Sequence, residues 1–92
     1  MYALVHHQIK DQEKFLAIAG SNAEFPVGFD ALAFLPDVSH KSATCVWETP
    51  DLASLKNLIE PILANTAVNT YLEIDEGLAK GLTKLKEAEM HA

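Results

Sequence analysis

The segment Thr49-Pro50-Asp51 constrains the fold of this chain more than any other feature of its sequence. It separates a short strand-like run, residues 42–48, from a segment in which leucine and isoleucine recur at helical spacing. Threonine is a favoured N-cap, proline fits the first helical position because its missing N–H would have no partner there, and aspartate complements the helix dipole. The segment therefore predicts a strand followed directly by a helix.

Three further runs predict strands. Each is rich in large or β-branched residues and too short for a stable helix, and together they cover residues 2–9, 29–35 and 68–74. Only the polar segment 36–41 separates the second strand from the run at 42–48. This spacing predicts a hairpin, although the Asn-Gly turn signal is absent.

Two more helices are predicted on either side of the one after Asp51. Asp11 is a suitable N-cap and Gly20 a suitable C-cap for a helix over 11–20. In the helix after Asp51, Pro61 should cause a kink or an early end, because its ring clashes with the carbonyl four residues back. A short amphipathic helix is predicted over about 77–90, with a stripe formed by Leu78, Leu82 and Leu85.

The resulting order is β-α-β-β-α-β with a C-terminal helical extension. An antiparallel sheet with strand order 4-1-3-2 satisfies the right-handed crossover rule and places both main helices on one face. We therefore predict one α+β ferredoxin-like domain over residues 1–92. The strands are apolar on both faces, whereas a solvated face would alternate with polar residues. We expect a second copy of the chain to cover the other face and form a homodimer.

Composition excludes several classes of partner. The chain has no arginine and a formal net charge of −6, so it lacks the basic face of a nucleic-acid-binding protein. No run approaches the roughly 20 apolar residues of a membrane span, and no signal peptide is evident, so we expect a soluble, cytoplasmic protein. There is no glycine-rich phosphate-binding loop, so no nucleotide cofactor is expected. Cys45 is the only cysteine and favours a small core side chain over a nucleophile.

The adjacent histidines His6 and His7 lie in the first predicted strand and therefore point to opposite faces. They cannot both bind one metal from a regular strand. The predicted strand pairing gathers two groups of side chains, and a shift of one residue in register would exchange their faces. The first group is His7, Trp47, Asn69, Tyr71 and Glu73, and the second is Tyr2, His6, Thr44 and Glu48.

Either group could line an apolar pocket with a few polar side chains, the usual form of a small-ligand site. In the first group, His7 could be a base or a ligand, Tyr71 a hydrogen-bond donor and Trp47 a wall. A divalent metal at His6 or His7 is a further candidate. The alternatives are solvated or hydrogen-bonded histidines, aromatic interface packing, and strand-end carboxylates at Glu48 and Glu73.

Three segments resemble the dimeric α+β-barrel branch of the ferredoxin-like fold, and within it small uncharacterised bacterial proteins. They are residues 2–7, 45–50 and 69–75, with sequences YALVHH, CVWETP and NTYLEID. The resemblance implies the fold and the homodimer. Members of that superfamily include cofactor-independent monooxygenases, small-lactone isomerases, haem-associated proteins and a nickel-binding group, so it does not imply one function. The hairpin without glycine and the C-terminal helix depart from the pattern.

Three functional hypotheses follow from these observations. The first is a dimeric protein that binds a small apolar ligand or a divalent metal at a histidine. The second is an assembly module whose histidines carry no chemistry. The third is a cofactor-independent enzyme, a monooxygenase or isomerase, which we rank last because the chain offers few polar groups for a catalytic set.

Overall fold

The computed structural model describes residues 1–21 and 24–91. Within these residues the order of elements is the predicted one, and each predicted strand is confirmed to within one residue at both ends. In chain order the elements are β1 (Tyr2–Ile9), α1 (Gln12–Ala19), β2 (Asp30–Pro36), β3 (Ser42–Glu48), α2 (Leu52–Leu63), β4 (Ala67–Glu73) and α3 (Leu82–His91).

The four strands form one antiparallel sheet in the order β2-β3-β1-β4, which is the predicted order read from the opposite edge. The predicted register is also confirmed. His6 pairs with Thr44 of β3, and His7 pairs with Asn69 of β4. This small α+β fold is compatible with the ferredoxin-like arrangement.

The prediction of Thr49 as the N-cap of α2 is wrong, because Asp51 caps the helix. An Asp51 carboxylate oxygen accepts a hydrogen bond from the backbone N–H of Ser54 at 2.7 Å, and Pro50 precedes the cap. The Thr49 side chain is buried and donates to the Asp51 carbonyl at 3.0 Å. Aspartate caps at least as well as threonine and also complements the helix dipole, so the boundary lies two residues later than predicted.

The two helix ends that involve proline and glycine differ in how well they were predicted. Helix α2 continues two residues beyond Pro61 and ends at Leu63, so the proline lies in the last turn. The third helix begins at Leu82, five residues later than predicted. Gly81 adopts a φ of 96°, a left-handed conformation that does not belong to a right-handed helix. Leu78 therefore lies outside the helix and is 80% exposed.

Helices α1 and α2 pack against one face of the sheet, as predicted. The side chains of Ala3, Val5 and His7 point to this face and are buried, and we call it the covered face. It packs against Phe15 of α1 and Leu55 of α2. No helix in the described part of the chain is long and apolar enough to cross a membrane.

The opposite face of the sheet, which we call the open face, bears the alternate residues of each strand. It carries exposed His6 and three large apolar side chains that are at least half exposed, Leu35 (60%), Val68 (50%) and Leu72 (54%). Helix α3 contacts β2 beside this face. The two faces therefore differ in burial although the same strands supply both.

Candidate functional site

A cavity of about 140 Å³ lies between the covered face and the two main helices. Strands β1, β2 and β3, helices α1 and α2, and the segment after α1 all contribute to its walls. Four of its lining residues carry side-chain polar atoms, namely His7, Ser21, Cys45 and Trp47. The other lining residues are alanine, leucine, isoleucine and phenylalanine. The cavity is therefore mainly apolar, with a small number of polar groups.

His7 is the polar residue that strand β1 places most deeply in this region. It is 1% exposed, and its ring lies 5.1 Å from the ring of Phe15, centroid to centroid. Its Nδ1 lies 2.6 Å from the side-chain oxygen of Asn69 on the neighbouring strand. The Asn69 amide nitrogen in turn donates to a Glu60 carboxylate oxygen of α2 at 2.7 Å. These three residues form what we call the Glu60–Asn69–His7 network.

The network determines which nitrogen of His7 carries the proton. An ionised carboxylate only accepts hydrogen bonds, so Glu60 must face the NH₂ group of Asn69. The Asn69 oxygen then faces His7 and accepts, and His7 Nδ1 must be the donor. In the neutral ring the proton on Nδ1 leaves Nε2 as an acceptor with a free lone pair. Because Asn69 occupies Nδ1, Nε2 is the ring nitrogen that is left to accept a hydrogen bond from another molecule.

Burial keeps this imidazole neutral. Loss of solvation lowers the pKa of His7 below its ordinary value, and this effect outweighs the hydrogen bond with Asn69, which acts in the opposite direction. The neighbouring His6 lowers the pKa further, whereas the Glu60 charge raises it. A neutral histidine in an apolar cavity can accept a hydrogen bond or take a proton from a bound molecule.

Trp47 lines the cavity and brings a second polar group. Its indole is buried and meets the ring of Phe25 edge to face, with centroids 4.9 Å apart. The indole Nε1–H has no hydrogen-bond partner among the described residues. Buried tryptophan N–H groups usually have a partner, so this donor is an unsatisfied group at the edge of an apolar space.

Cys45 also lines the cavity, but its thiol is unreactive near neutral pH. Burial raises the pKa of its thiol to about 12, so the thiolate that would act as a nucleophile is not formed near neutral pH. Its position on β3, opposite Val5, is that of a small packing residue. This agrees with the interpretation of the cysteine from the sequence.

Tyr71 and Glu73 share the covered face with His7 but do not line the cavity. The Tyr71 hydroxyl is buried and has no hydrogen-bond partner in the described part of the chain. Burial and the nearby Glu60 carboxylate both raise the pKa of Tyr71, so it remains a neutral phenol. Glu73 is exposed at the end of β4. Of the predicted group on the covered face, His7 and Trp47 line the cavity, and Asn69 is hydrogen-bonded to His7.

The second predicted group lies on the open face, away from the cavity. His6 is exposed there, so the two adjacent histidines do point to opposite faces. Glu48 forms an ion pair with Lys86 of α3, which also lies 3.4 Å from Asp30, and the lysine lowers the pKa of Glu48. Glu48 therefore holds α3 against the sheet. Within residues 1–21 and 24–91 there is no group of three or more His, Cys, Asp or Glu residues that could hold a metal ion.

Glu60 orients the site through Asn69 but was not predicted from the sequence. Its signal is present in α2, where a carboxylate directly follows the buried Ile59 and so lies beside the apolar stripe that faces the sheet. A charged residue beside a buried helical stripe requires a partner, and Asn69 supplies it. The contribution of Phe25 to the Trp47 wall was also missed, because it lies in a segment predicted only as a loop.

The chain was compared with models of known protein families, with curated proteins and with solved structures, and nothing matches it. The fold and the cavity therefore carry the functional argument. Membership of the dimeric α+β-barrel superfamily stays a prediction from the sequence, compatible with the observed strand order.

Proposed function

We propose that this protein binds a small, mainly apolar molecule in the cavity on the covered face, where His7 Nε2 accepts a hydrogen bond from it. The observation that carries the proposal is the pairing of an apolar cavity with one neutral, oriented imidazole. Cavities of this kind, with few convergent polar groups, are the usual form of small-molecule sites.

The Trp47 indole supports a ligand rather than a purely structural role. Its buried Nε1–H has no hydrogen-bond partner among the described residues, and an unpaired buried polar group costs about 1–3 kcal/mol. A leucine or phenylalanine at this position would avoid that cost. A bound molecule that accepts this hydrogen bond would offset it.

The binding site belongs, in this proposal, to a homodimer formed through the open face. Leu35, Val68 and Leu72 are exposed there, and a second copy is the partner predicted from the sequence. The carboxylates of Asp30 and Glu48 on this face are both paired with Lys86, so they place no uncompensated charge there. Membership of the dimeric α+β-barrel superfamily would account for the same assembly.

One observation favours an enzyme as a second candidate. The Glu60–Asn69–His7 network orients the imidazole through a third group, as an activated catalytic base requires. His7 Nε2 would take a proton from a bound C–H acid and return it to another carbon, which is an isomerisation that needs no cofactor. If so, a bound substrate would lose its C–H signal in deuterated water with the wild type but not with His7→Gln.

The ligand proposal is tested by following the indole N–H signal of Trp47 in nuclear magnetic resonance spectra. Trp47 is the single tryptophan, so the signal is unambiguous. Neutral one-ring molecules should shift it in the wild type. Ala19→Leu, which fills the cavity from α1, should abolish the shift, whereas Ala17→Leu on the exposed side of α1 should preserve it. Equal binding by both variants would contradict the proposal.

The metal alternative is separated by native mass spectrometry with nickel, zinc and copper salts. If one metal per subunit is retained by Ala19→Leu and lost in His6→Ala or His7→Ala, the ligand is a metal and not an apolar molecule.

The homodimer is tested by native mass spectrometry and by sedimentation. Leu72→Asp should give a monomer, and Val38→Asp, at an exposed position in the hairpin loop, should remain dimeric. A monomeric wild type would contradict the proposed homodimer.

A further inference from the structure

We infer that the cavity selects neutral one-ring molecules that carry an O–H or N–H donor, the chemistry of a phenol, and that Asn69 sets this preference by holding the His7 proton on Nδ1. The inference rests on the proposed function, because it names the class of molecule that the same cavity would take. It adds a specificity-determining role for a residue that does not line the cavity.

The size of the cavity limits the ligand to about one ring. An engineered protein cavity of about 150 Å³ lined by leucine, isoleucine and phenylalanine binds benzene. The cavity here has about 140 Å³ and is lined largely by the same residue types. A six-membered ring with one small substituent matches this volume.

The tautomer of His7 determines the polar group that the ligand should carry. Nε2 is an acceptor and has no partner among the described residues, so a ligand hydroxyl or amine hydrogen would satisfy it. A ligand of the same shape without that hydrogen leaves Nε2 unpaired on binding. Sites built to bond a hydroxyl reject such analogues far more strongly than apolar pockets reject an extra methylene group.

The charge of the surroundings favours a neutral ligand. None of the residues that line the cavity is a lysine, and burial keeps His7 uncharged, so a carboxylate would enter without a counter-charge. A cation is disfavoured as well, because the Glu60 carboxylate lies behind Asn69 and is already hydrogen-bonded to it. Desolvation therefore penalises both signs of charge.

Asn69 acts here as a positioning residue. Without its side-chain oxygen, His7 loses the acceptor that holds the proton on Nδ1, and the proton can move to Nε2. The cavity would then present a donor rather than an acceptor. Loss of Asn69 should therefore shift the preference from donor ligands such as phenol towards acceptor ligands such as benzaldehyde, which simple loosening of the fold would not do.

The experiment measures association constants of phenol, toluene, benzaldehyde and benzoate through the Trp47 indole signal. We compare the wild type with Asn69→Leu, and with Asn57→Leu at an exposed position of α2 as the matched control. A second variant, Glu60→Gln, nearly preserves size and frees the Asn69 amide to turn, because glutamine both donates and accepts. It keeps the test decisive if Asn69→Leu does not fold.

We expect phenol to bind the wild type and benzoate to bind at least about tenfold more weakly, because benzoate would bury an unpaired charge. The ratio of phenol to benzaldehyde affinity should fall about twofold to tenfold in Asn69→Leu and in Glu60→Gln, the range set by one net hydrogen bond. Asn57→Leu should leave it unchanged. An unchanged ratio in both network variants overturns the inference and leaves the proposed function intact, whereas binding of none of the four probes overturns both.

Discussion

The two faces of the sheet show how one strand can place identical residues in different chemical settings. His6 and His7 are neighbours in β1, yet His6 is exposed on the open face and His7 is buried beside the cavity. Among the described residues, His7 is hydrogen-bonded to Asn69, which is bonded to Glu60, whereas His6 has no such network. Burial lowers the pKa of His7. The difference arises because helices α1 and α2 cover one face, not because of any property of the residues themselves.

The apolar residues divide in the same way. Val5 of β1 is fully buried under α2, while Leu72, on the neighbouring strand, is half exposed on the open face. The covered face therefore stabilises the single chain, and the open face has apolar surface left for a partner. The following substitutions test this division, from the largest expected effect to the smallest.

Truncation of the core beneath the covered face should have the largest effect on stability. Leu55→Ala removes a fully buried side chain that packs on Val5 and Trp47, and it should lower the free energy of unfolding by about 2–5 kcal/mol. Denaturation by urea, followed by tryptophan fluorescence, measures this change. Leu78→Ala, at an exposed position before α3, should change it by less than about 0.5 kcal/mol. Comparable losses for the two variants would refute the assignment of the core.

Removal of the amide in the network should have the next largest effect. Asn69→Leu leaves His7 Nδ1 and the Glu60 carboxylate without their partner, and the cost should be about 1–3 kcal/mol. The adjacent Thr70 points to the open face and is exposed, so Thr70→Val should be close to neutral. Thermal or urea unfolding of the pair distinguishes the faces directly. A neutral Asn69→Leu would mean that the network is not formed in solution.

Stability should depend on pH through the buried His7. The pKa of His7 is lowered in the folded protein, so below about pH 6.5 the unfolded chain binds a proton that the folded chain refuses. Its contribution is complete above that pH and is lost as the pH falls, with a slope of at most about 1.4 kcal/mol per pH unit. Unfolding measured between about pH 8 and about pH 5.5 avoids the titration of most carboxylates.

The matched control for this pH dependence is the neighbouring histidine. His7→Gln should flatten the profile, and His6→Gln should retain the wild-type slope. A wild-type profile that is flat over this range would contradict the lowered pKa of His7. A profile that only His6→Gln flattens would show that His6, and not His7, is the buried histidine.

The smallest effect is expected at the ion pair that holds α3 to the sheet. Lys86 contacts Glu48 and Asp30, but the lysine side chain is 32% exposed, so Lys86→Met should cost no more than about 1 kcal/mol. The difference should disappear in about 1 M salt, which screens exposed charges. Lys84→Met on the same helix is the control, because Lys84 is exposed. A larger, salt-independent loss would mean that α3 is held by burial rather than by charge.

The sequence allowed much of the sheet to be predicted and little of the site. Alternation of side chains and short connections determine strand pairing, so the partners of His6 and His7 could be derived without coordinates. The start of α2 was misplaced because threonine, proline and aspartate all favour a helix N-terminus, and only the geometry identifies Asp51 as the cap. The start of α3 was misplaced because periodicity continues through Gly81, whose left-handed conformation excludes it from the helix.

The cavity could not be predicted because it depends on the sum of many side-chain volumes from five elements and one connecting segment. The role of Glu60 depends on the rotation of α2 about its own axis, which periodicity fixes only to within one residue. Tyr71 and Glu73 were grouped with His7 correctly by face, but the distance along the face from the cavity separates them from the site.

The central claim is that His7 is neutral, carries its proton on Nδ1 and offers Nε2 to a molecule in the cavity. The most direct measurement is the side-chain nitrogen spectrum of the four histidines at neutral pH, recorded with and without phenol. We predict a protonated Nδ1 and an unprotonated Nε2 for His7, with the Nε2 signal moving on addition of phenol while the His6 signals stay unchanged. A His7 ring protonated on Nε2, or a phenol response at His6 and not at His7, would contradict it.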